Sequence, residues 1–312
     1  MIDSNDTFDG MWPFAPCFHE IPIDDDAAAF RLHYVDQGPL DAEPIVCLHG
    51  EPTWGYLYRN MIPSLALRYR VLVPDHMGFG RSDTPPDREY TLESHVDNLT
   101  HWIETLNLEK ITFVMQDWGG PIGTQFTARY PHRVKRMFFA NSFAGYGTAG
   151  RKDLPRLQDS RWFRWIGEGL ESGRTEAVLS HLGSTVLSVM KIPGFENSSV
   201  VTEAWLRAYS SPFTTPPECI GAIEFPLDAY HVRIREYVQQ GAAGVSALKS
   251  IPAMLAEGMR DHAIPPDLAI GDFQALWPER PVVRLANAGH YCQEDAPSTL
   301  VSLIDQFMQS NP

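Results

Sequence analysis

The sequence predicts an α/β fold, a mostly parallel central sheet flanked by helices, with an inserted helical cap. Three observations predict it. Short, continuous apolar runs, "PIVCLHG" (44–50), "YRVLVPDHMGFG" (69–80) and "ITFVMQ" (111–116), have the character of strands buried on both faces. They alternate with helix-like segments, the signature of βαβ units and a parallel sheet. From about residue 145 that rhythm gives way to helical, aromatic-rich sequence, and it resumes only at "IPAMLAEGMRD" (251–261).

Taken in order, residues 1–20 read as an irregular arm, and "FRLHYVDQG" (30–38) alternates like a half-exposed strand. "LESHVDNLTHWIETLNL" (92–108) carries Leu92, Val96, Leu99, Ile103 and Leu106 at helical spacing. "PIGTQFTARYP" is a helix closed by Pro131, and "VKRMFFANS" a further strand. "RWFRWIGEGLESGRTEAVLSHL" and "TEAWLRAY" are the helices of the insertion. "PVVRLANAGH" (281–290) is the last strand with its loop, and "PSTLVSLIDQFMQ" (297–309) the closing helix. The division is a discontinuous main domain, 1–145 and 227–312, around a helical cap at 146–226.

Composition narrows the class of protein. The 312 residues are 44% hydrophobic and 21% charged, ordinary for a soluble globular chain. The net charge of −14 argues against nucleic acid or an anionic membrane as partner. Cys17, Cys47, Cys219 and Cys292 fit no metal or redox spacing, so four free buried thiols and a reducing compartment are expected. The acidic start has no secretory character, and no window approaches the roughly 20 apolar residues of a membrane span, so a cytoplasmic location is expected.

Parallel sheets place their sites at the carboxyl ends of the strands. His49, Asp75 and Asp117 all follow strand-like runs. In "QDWGG" Asp117 leaves a strand into glycines that open a helix, the placement of a nucleophile elbow; by itself the motif equally fits an Asp N-cap. "NAGHYCQED" puts His290 on the loop after the last strand, and "AEGMRDHAI" puts Asp261 on the loop before it, with Asp267 and Asp272 nearby. The order nucleophile, acid, histidine is that of an α/β-hydrolase. After His49 and Gly50 the chain must turn, so the N–H of Glu51 can join that of Trp118 in an oxyanion hole. His49 is expected to brace this loop, the Glu51 side chain to hold a loop or a water, and the Gly-rich "DHMGFGRSD" (75–83) to be structural.

Together, "HGEPTWGYLYRNMIP", "PDHMGFGRSD", "QDWGG", "GMRDHAI" and "AGHYCQED" resemble the haloalkane dehalogenases, most closely the subgroup with an Asp-His-Asp triad and two halide-binding tryptophans. The resemblance covers nearly all of the main domain and matches the cap weakly. It implies Asp117 as nucleophile, His290 as base, Asp261 as acid, and the Trp118 indole as one halide donor. The second donor is a cap tryptophan among Trp162, Trp165 and Trp205; the F-x-W setting favours Trp165, with Trp162 its rival. Phe143, Trp162, Phe163, Phe213 and Phe225 would supply an apolar wall. The partners implied are a small apolar halogenated substrate, water and the halide product; no metal or organic cofactor is needed.

A carboxylate suits a saturated carbon, because it yields an ester that water can cleave, whereas serine would yield an inert ether. Two other readings stay open. An epoxide hydrolase or β-lactone-cleaving hydrolase could use the same Asp nucleophile, an epoxide needing an acid such as Tyr146, Tyr209 or Tyr230. A non-catalytic ligand-binding protein could keep the triad as a vestige.

Overall fold

A computed structural model describes residues 5–22, 29–146 and 154–312. Eight strands form one sheet: β1 (Cys17–Pro22), β2 (Ala29–Gln37), β3 (Pro44–Leu48), β4 (Arg70–Pro74), β5 (Ile111–Gln116), β6 (Val134–Ala140), β7 (Ala253–Gly258) and β8 (Val282–Leu285). Their spatial order is β1-β2-β4-β3-β5-β6-β7-β8. β1 and β2 run antiparallel to their neighbours, and every pairing from β4 to β8 is parallel.

The parallel strands follow from their composition. All six residues of β5 and all six of β7 are buried, as continuous apolar runs require when helices cover both faces. β1 departs from the irregular arm expected for residues 1–20. Most of its side chains stay partly or fully exposed, so it lacks a hydrophobic pattern, and its backbone pairing with β2 defines it. Cys17 lies on this edge strand and is partly exposed, unlike the three buried thiols; all four cysteines are free.

Among the helices, α1 (Ile62–Leu65) is one turn and α2 (Leu92–Thr105) is long. Thr91 caps α2 by accepting from the Ser94 N–H, and Leu92, Val96, Leu99 and Ile103 form its buried stripe. α3 (Gly119–Arg129) starts directly after β5. A Cβ on Gly119 would stand 2.3 Å from the Leu48 carbonyl oxygen, so only glycine lets this helix approach β3 so closely.

Between β6 and β7 the described residues are helical and contain no strand: α4 (Leu154–Gln158), α5 (Arg161–Ser172), α6 (Arg174–Leu179), α7 (Leu182–Met190), α8 (Glu203–Ser210), α9 (Ile220–Tyr230), α10 (Ile234–Gln240) and α11 (Val245–Ser250). α9 packs on α5 and α6, whereas α10 packs on α2 and α11 on α3. The helical run therefore outlasts residue 226, and its last part covers the sheet's own helices. Residues 147–153, where the insertion was expected to open, lie outside the described residues.

A buried hub ties α8 to the sheet's end of the molecule. Glu294, in α13 (Cys292–Asp295), accepts from Arg59 Nη1 and Nη2 at 2.7 Å each, the Tyr209 hydroxyl at 2.6 Å and the Trp205 indole at 3.2 Å. The Trp54 indole donates to the Ala208 carbonyl at 2.9 Å. α12 (Pro266–Leu276) joins β7 to β8, and α14 (Pro297–Ser310) is the last helix. No helix among the described residues is long and apolar enough to cross a membrane.

Candidate active site

Four loops at the carboxyl edge of the sheet, those after β3, β5, β7 and β8, bring the predicted residues together. Asp117 sits at the break between β5 and α3 with φ +48°, a left-handed backbone that aspartate tolerates better than most side chains. The turn is held on both sides. The Asp117 N–H donates to the Asn141 carbonyl at 3.1 Å, and the Asp117 carbonyl accepts from the Ser142 hydroxyl at 2.5 Å and the Gly120 N–H at 3.0 Å. This lifts the carboxylate out of the sheet.

The carboxylate meets two partners. Its Oδ1 accepts the Glu51 N–H at 3.0 Å, and its Oδ2 lies 3.3 Å from His290 Nε2. Gly50 makes the first contact possible, since a Cβ there would stand 2.3 Å from Oδ1. The Trp118 N–H makes no bond to the carboxylate.

His290 Nδ1 lies 2.8 Å from Asp261 Oδ2. Asp261 in turn accepts the N–H groups of Ala263 and Ile264 at 2.7 and 2.9 Å and the Asn141 side-chain amide at 2.9 Å. Such a buried carboxylate is fully hydrogen-bonded and holds the imidazole's orientation. Asp267 and Asp272 are elsewhere: Asp267 pairs with Arg156, and Asp272 accepts from the N–H of Ala144 at 2.8 Å.

Burial is the largest influence on His290 and opposes its charging. The Asp261 charge, hydrogen bonds to Asp117 and Asp261, and the Asp117 charge together outweigh it and raise the pKa to about 10. Burial, reinforced by the Asp117 charge, pushes the Glu51 carboxyl well above the usual carboxylate range. Glu257, at the end of β7, is fully buried and raised in the same way, first by burial and then by Asp261.

Asp117, His290 and Glu51 border one cavity with an empty volume of about 540 Å³, mouth included. Trp118, Phe143, Trp162 and Phe163 supply much of its apolar lining. Phe213 and Phe225, expected in that wall, do not border the cavity: Phe225 stacks on Trp118 at 4.6 Å and on Phe79 at 5.0 Å, and Phe213 meets Phe79 edge-on at 6.3 Å. Trp165 does not border the cavity; it lies against Trp162. Trp205 is committed to Glu294. Among the described residues the Trp118 and Trp162 indoles donate to no protein acceptor.

Tyr146, Tyr209 and Tyr230 do not line the cavity; Tyr146 donates to Gln125 at 2.8 Å and Tyr209 to Glu294. His49 is structural as expected, accepting the His76 N–H at 2.9 Å. Asp75 organises the Gly-rich loop by accepting the N–H groups of Gly55 and Arg81, each at 2.8 Å.

Sequence reasoning missed Asn141 and did not set Gln116 beside the histidine. Asn141 follows β6 in "ANS" and bridges Asp261 to the Gly258 N–H, which its Oδ1 accepts at 2.9 Å. Its only sequence signal is a polar residue at a strand's carboxyl end. Gln116, the last residue of β5, places its amide 3.2 Å from His290 Nε2.

Known proteins resemble this chain along nearly its whole length. Residues 43–297 match the model of the alpha/beta hydrolase fold family. A haloalkane dehalogenase of Psychrobacter cryohalolentis is 33% identical over 305 residues, 94% of this chain and 93% of that protein. A cis-3-alkyl-4-alkyloxetan-2-one decarboxylase of Xanthomonas campestris is also 33% identical, over 90% of this chain and 93% of its own. The solved tetrameric haloalkane dehalogenase of Paraglaciecola agarilytica NO2 superposes with a TM-score of 0.75 at 26% identity, covering 99% of this chain and 98% of that one. With its elbow aspartate, histidine and apolar cavity at the sheet's carboxyl edge, this chain belongs to the α/β-hydrolase superfamily and, within it, to the haloalkane dehalogenase family.

Proposed function

We propose that this enzyme hydrolyses the carbon–halogen bond of haloalkanes to an alcohol and halide through a covalent ester on Asp117. The observation that carries the reading is a carboxylate at the elbow, 3.3 Å from a histidine, inside a cavity walled by indole and phenyl rings. Asp117 attacks the carbon in line and the halide leaves. His290, aligned by Asp261, then takes a proton from water, which attacks the Asp117 carbonyl. The N–H groups of Glu51 and Trp118 meet the oxyanion of that second step, where one such donor is typically worth about 3–4 kcal/mol.

The departing halide is met by the Trp118 indole and by a cap indole. Trp162 is the better assignment than Trp165, because Trp162 borders the cavity and Trp165 backs it. The described part of the segment 146–226 acts as a cap that closes the site from water. The four free thiols support a reducing compartment, the cytoplasm.

The likeness to the Xanthomonas oxetanone decarboxylase favours a second reading, cleavage of a β-lactone on the same aspartate. A panel of short bromoalkanes and a β-lactone, assayed for free bromide and for alkene or acid, separates the two. Bromide release by the wild type, with His290→Phe stalling after about one bromide per site, is the expected result. No bromide from any substrate would overturn the primary reading.

A further inference from the structure

The Glu51 side chain has no role in the reaction above, yet it is built into the site. The residue is 5% exposed and borders the cavity, and its Oε1 is sealed from solvent without a hydrogen-bond partner. An unpartnered carboxylate in such a place would be costly, whereas a neutral acid is tolerated. Burial and the neighbouring Asp117 charge favour that neutral form and outweigh the opposing charge of His290.

The kind of leaving group decides what such an acid can do. A halide departs as a stable anion and needs only hydrogen bonds, which indoles provide. An oxygen leaving group departs as an alkoxide and needs a proton, which an indole cannot release. Among the described residues bordering the cavity, none is tyrosine, lysine or arginine; Glu51 and His290 are the side chains that can carry a transferable proton beside Asp117. His290 is committed to the water.

We propose that Glu51 is a proton donor to an oxygen leaving group, so that this cavity also opens short terminal epoxides to vicinal diols. The inference rests on Asp117 as nucleophile and goes beyond carbon–halogen chemistry. An Asp117 oxygen attacks the terminal epoxide carbon. The ring C–O bond breaks, its electron pair passes to oxygen, and that oxygen takes the Glu51 proton, leaving a hydroxyalkyl ester and a Glu51 carboxylate. Water then gives a proton to His290 and its oxygen to the Asp117 carbonyl carbon. The ester C–O bond breaks, the diol oxygen takes the proton from His290, and the carboxylic acid left on Asp117 returns its proton to Glu51. The sum is epoxide plus water to diol.

The test uses the purified full chain with 1,2-epoxyhexane and, separately, 1-bromohexane, measuring diol and bromide. Diol above the buffer background, abolished in Asp117→Ala, is expected. Because general acid catalysis contributes typically ~10²–10⁴-fold, Glu51→Gln is expected to lower the ratio of diol rate to bromide rate at least about tenfold, with Glu51→Asp restoring part of it. In His290→Phe, intact-mass measurement should show an adduct equal to the mass of the epoxide, which reads ring opening without any Glu51 variant. An unchanged ratio in Glu51→Gln overturns the proposal. So does absence of diol and adduct: if bromide is still released the dehalogenase reading stands, and if bromide is absent too that reading falls as well.

Discussion

Trp162 and Trp165 lie face to face on α5, ring centroids 5.3 Å apart and planes inclined by 14°, and of the two Trp162 borders the cavity. The inner ring can therefore aim its N–H at a halide while the outer ring steadies it. Trp162→Phe keeps an aromatic ring and removes the donor. A hydrogen bond to a charged group is worth about 1.5–3 kcal/mol, so kcat/KM for a bromoalkane should fall roughly 10- to 100-fold. Trp165→Phe should cost much less. Steady-state kinetics of both variants with bromide binding followed by tryptophan fluorescence would check the order; the reverse order would move the donor to Trp165.

How far the sequence reveals this site depends on what each residue does. Asp117, Asp261 and His290 each follow a strand that is legible in the sequence, β5, β7 and β8, so their convergence at one edge follows from the fold. The choice between Trp162 and Trp165 does not: three residues apart on one helix, both fall on the same side, and only the cap's seating decides which ring is inner. Phe225 was misplaced for the same reason, since its aromatic character fits either the wall or the layer behind it. Asn141 gave little warning because its work is entirely three-dimensional, joining the ends of β6 and β7.

That bridge makes a second prediction. Asn141→Ala removes a hydrogen bond from Asp261 and leaves the buried Gly258 N–H without its acceptor. An unsatisfied buried group costs about 1–3 kcal/mol, so the urea midpoint should fall accordingly. Catalysis should suffer in the hydrolytic half, because Asp261 aligns the histidine used there. Rapid-quench measurement should find more ester at steady state than in the wild type, with the halide burst retained. Slowed halide release without ester accumulation would count against this placement of Asn141.

His290 is expected to change its proton affinity during turnover. In the free enzyme, Asp261 and Asp117 outweigh burial and raise its pKa to about 10. Conversion of Asp117 to a neutral ester removes that carboxylate's charge and charge-assisted hydrogen bond, leaving burial opposed by Asp261 alone. The histidine then becomes a base when the ester has formed. Asp117→Asn mimics the neutral state, and NMR titration of His290 should place its pKa roughly one unit or more below that of the wild type. An equal or higher value in the variant would refute this timing.

The last prediction concerns the support beneath Trp118. Phe225 stacks on that indole, and the His95 ring lies 4.6 Å from Phe225. Both His95 nitrogens are buried without a hydrogen-bond partner. Burial, then the neighbouring His49, lower the His95 pKa from 6.5 to about 3, and burial likewise holds His76 well below its ordinary value. A histidine whose folded pKa is depressed contributes stability above its unfolded pKa. That stability is lost as pH falls from about 6.5 toward the folded value, because the unfolded chain binds the proton first. Each such group steepens the loss by about 1.4 kcal/mol per pH unit within that window. His95→Phe, similar in shape and without a titrating group, should therefore lose less stability than the wild type between pH 6.5 and pH 5, by about one proton's worth of slope. Urea unfolding at both pH values would check this, and identical slopes for the two proteins would show that His95 is not buried in its neutral form.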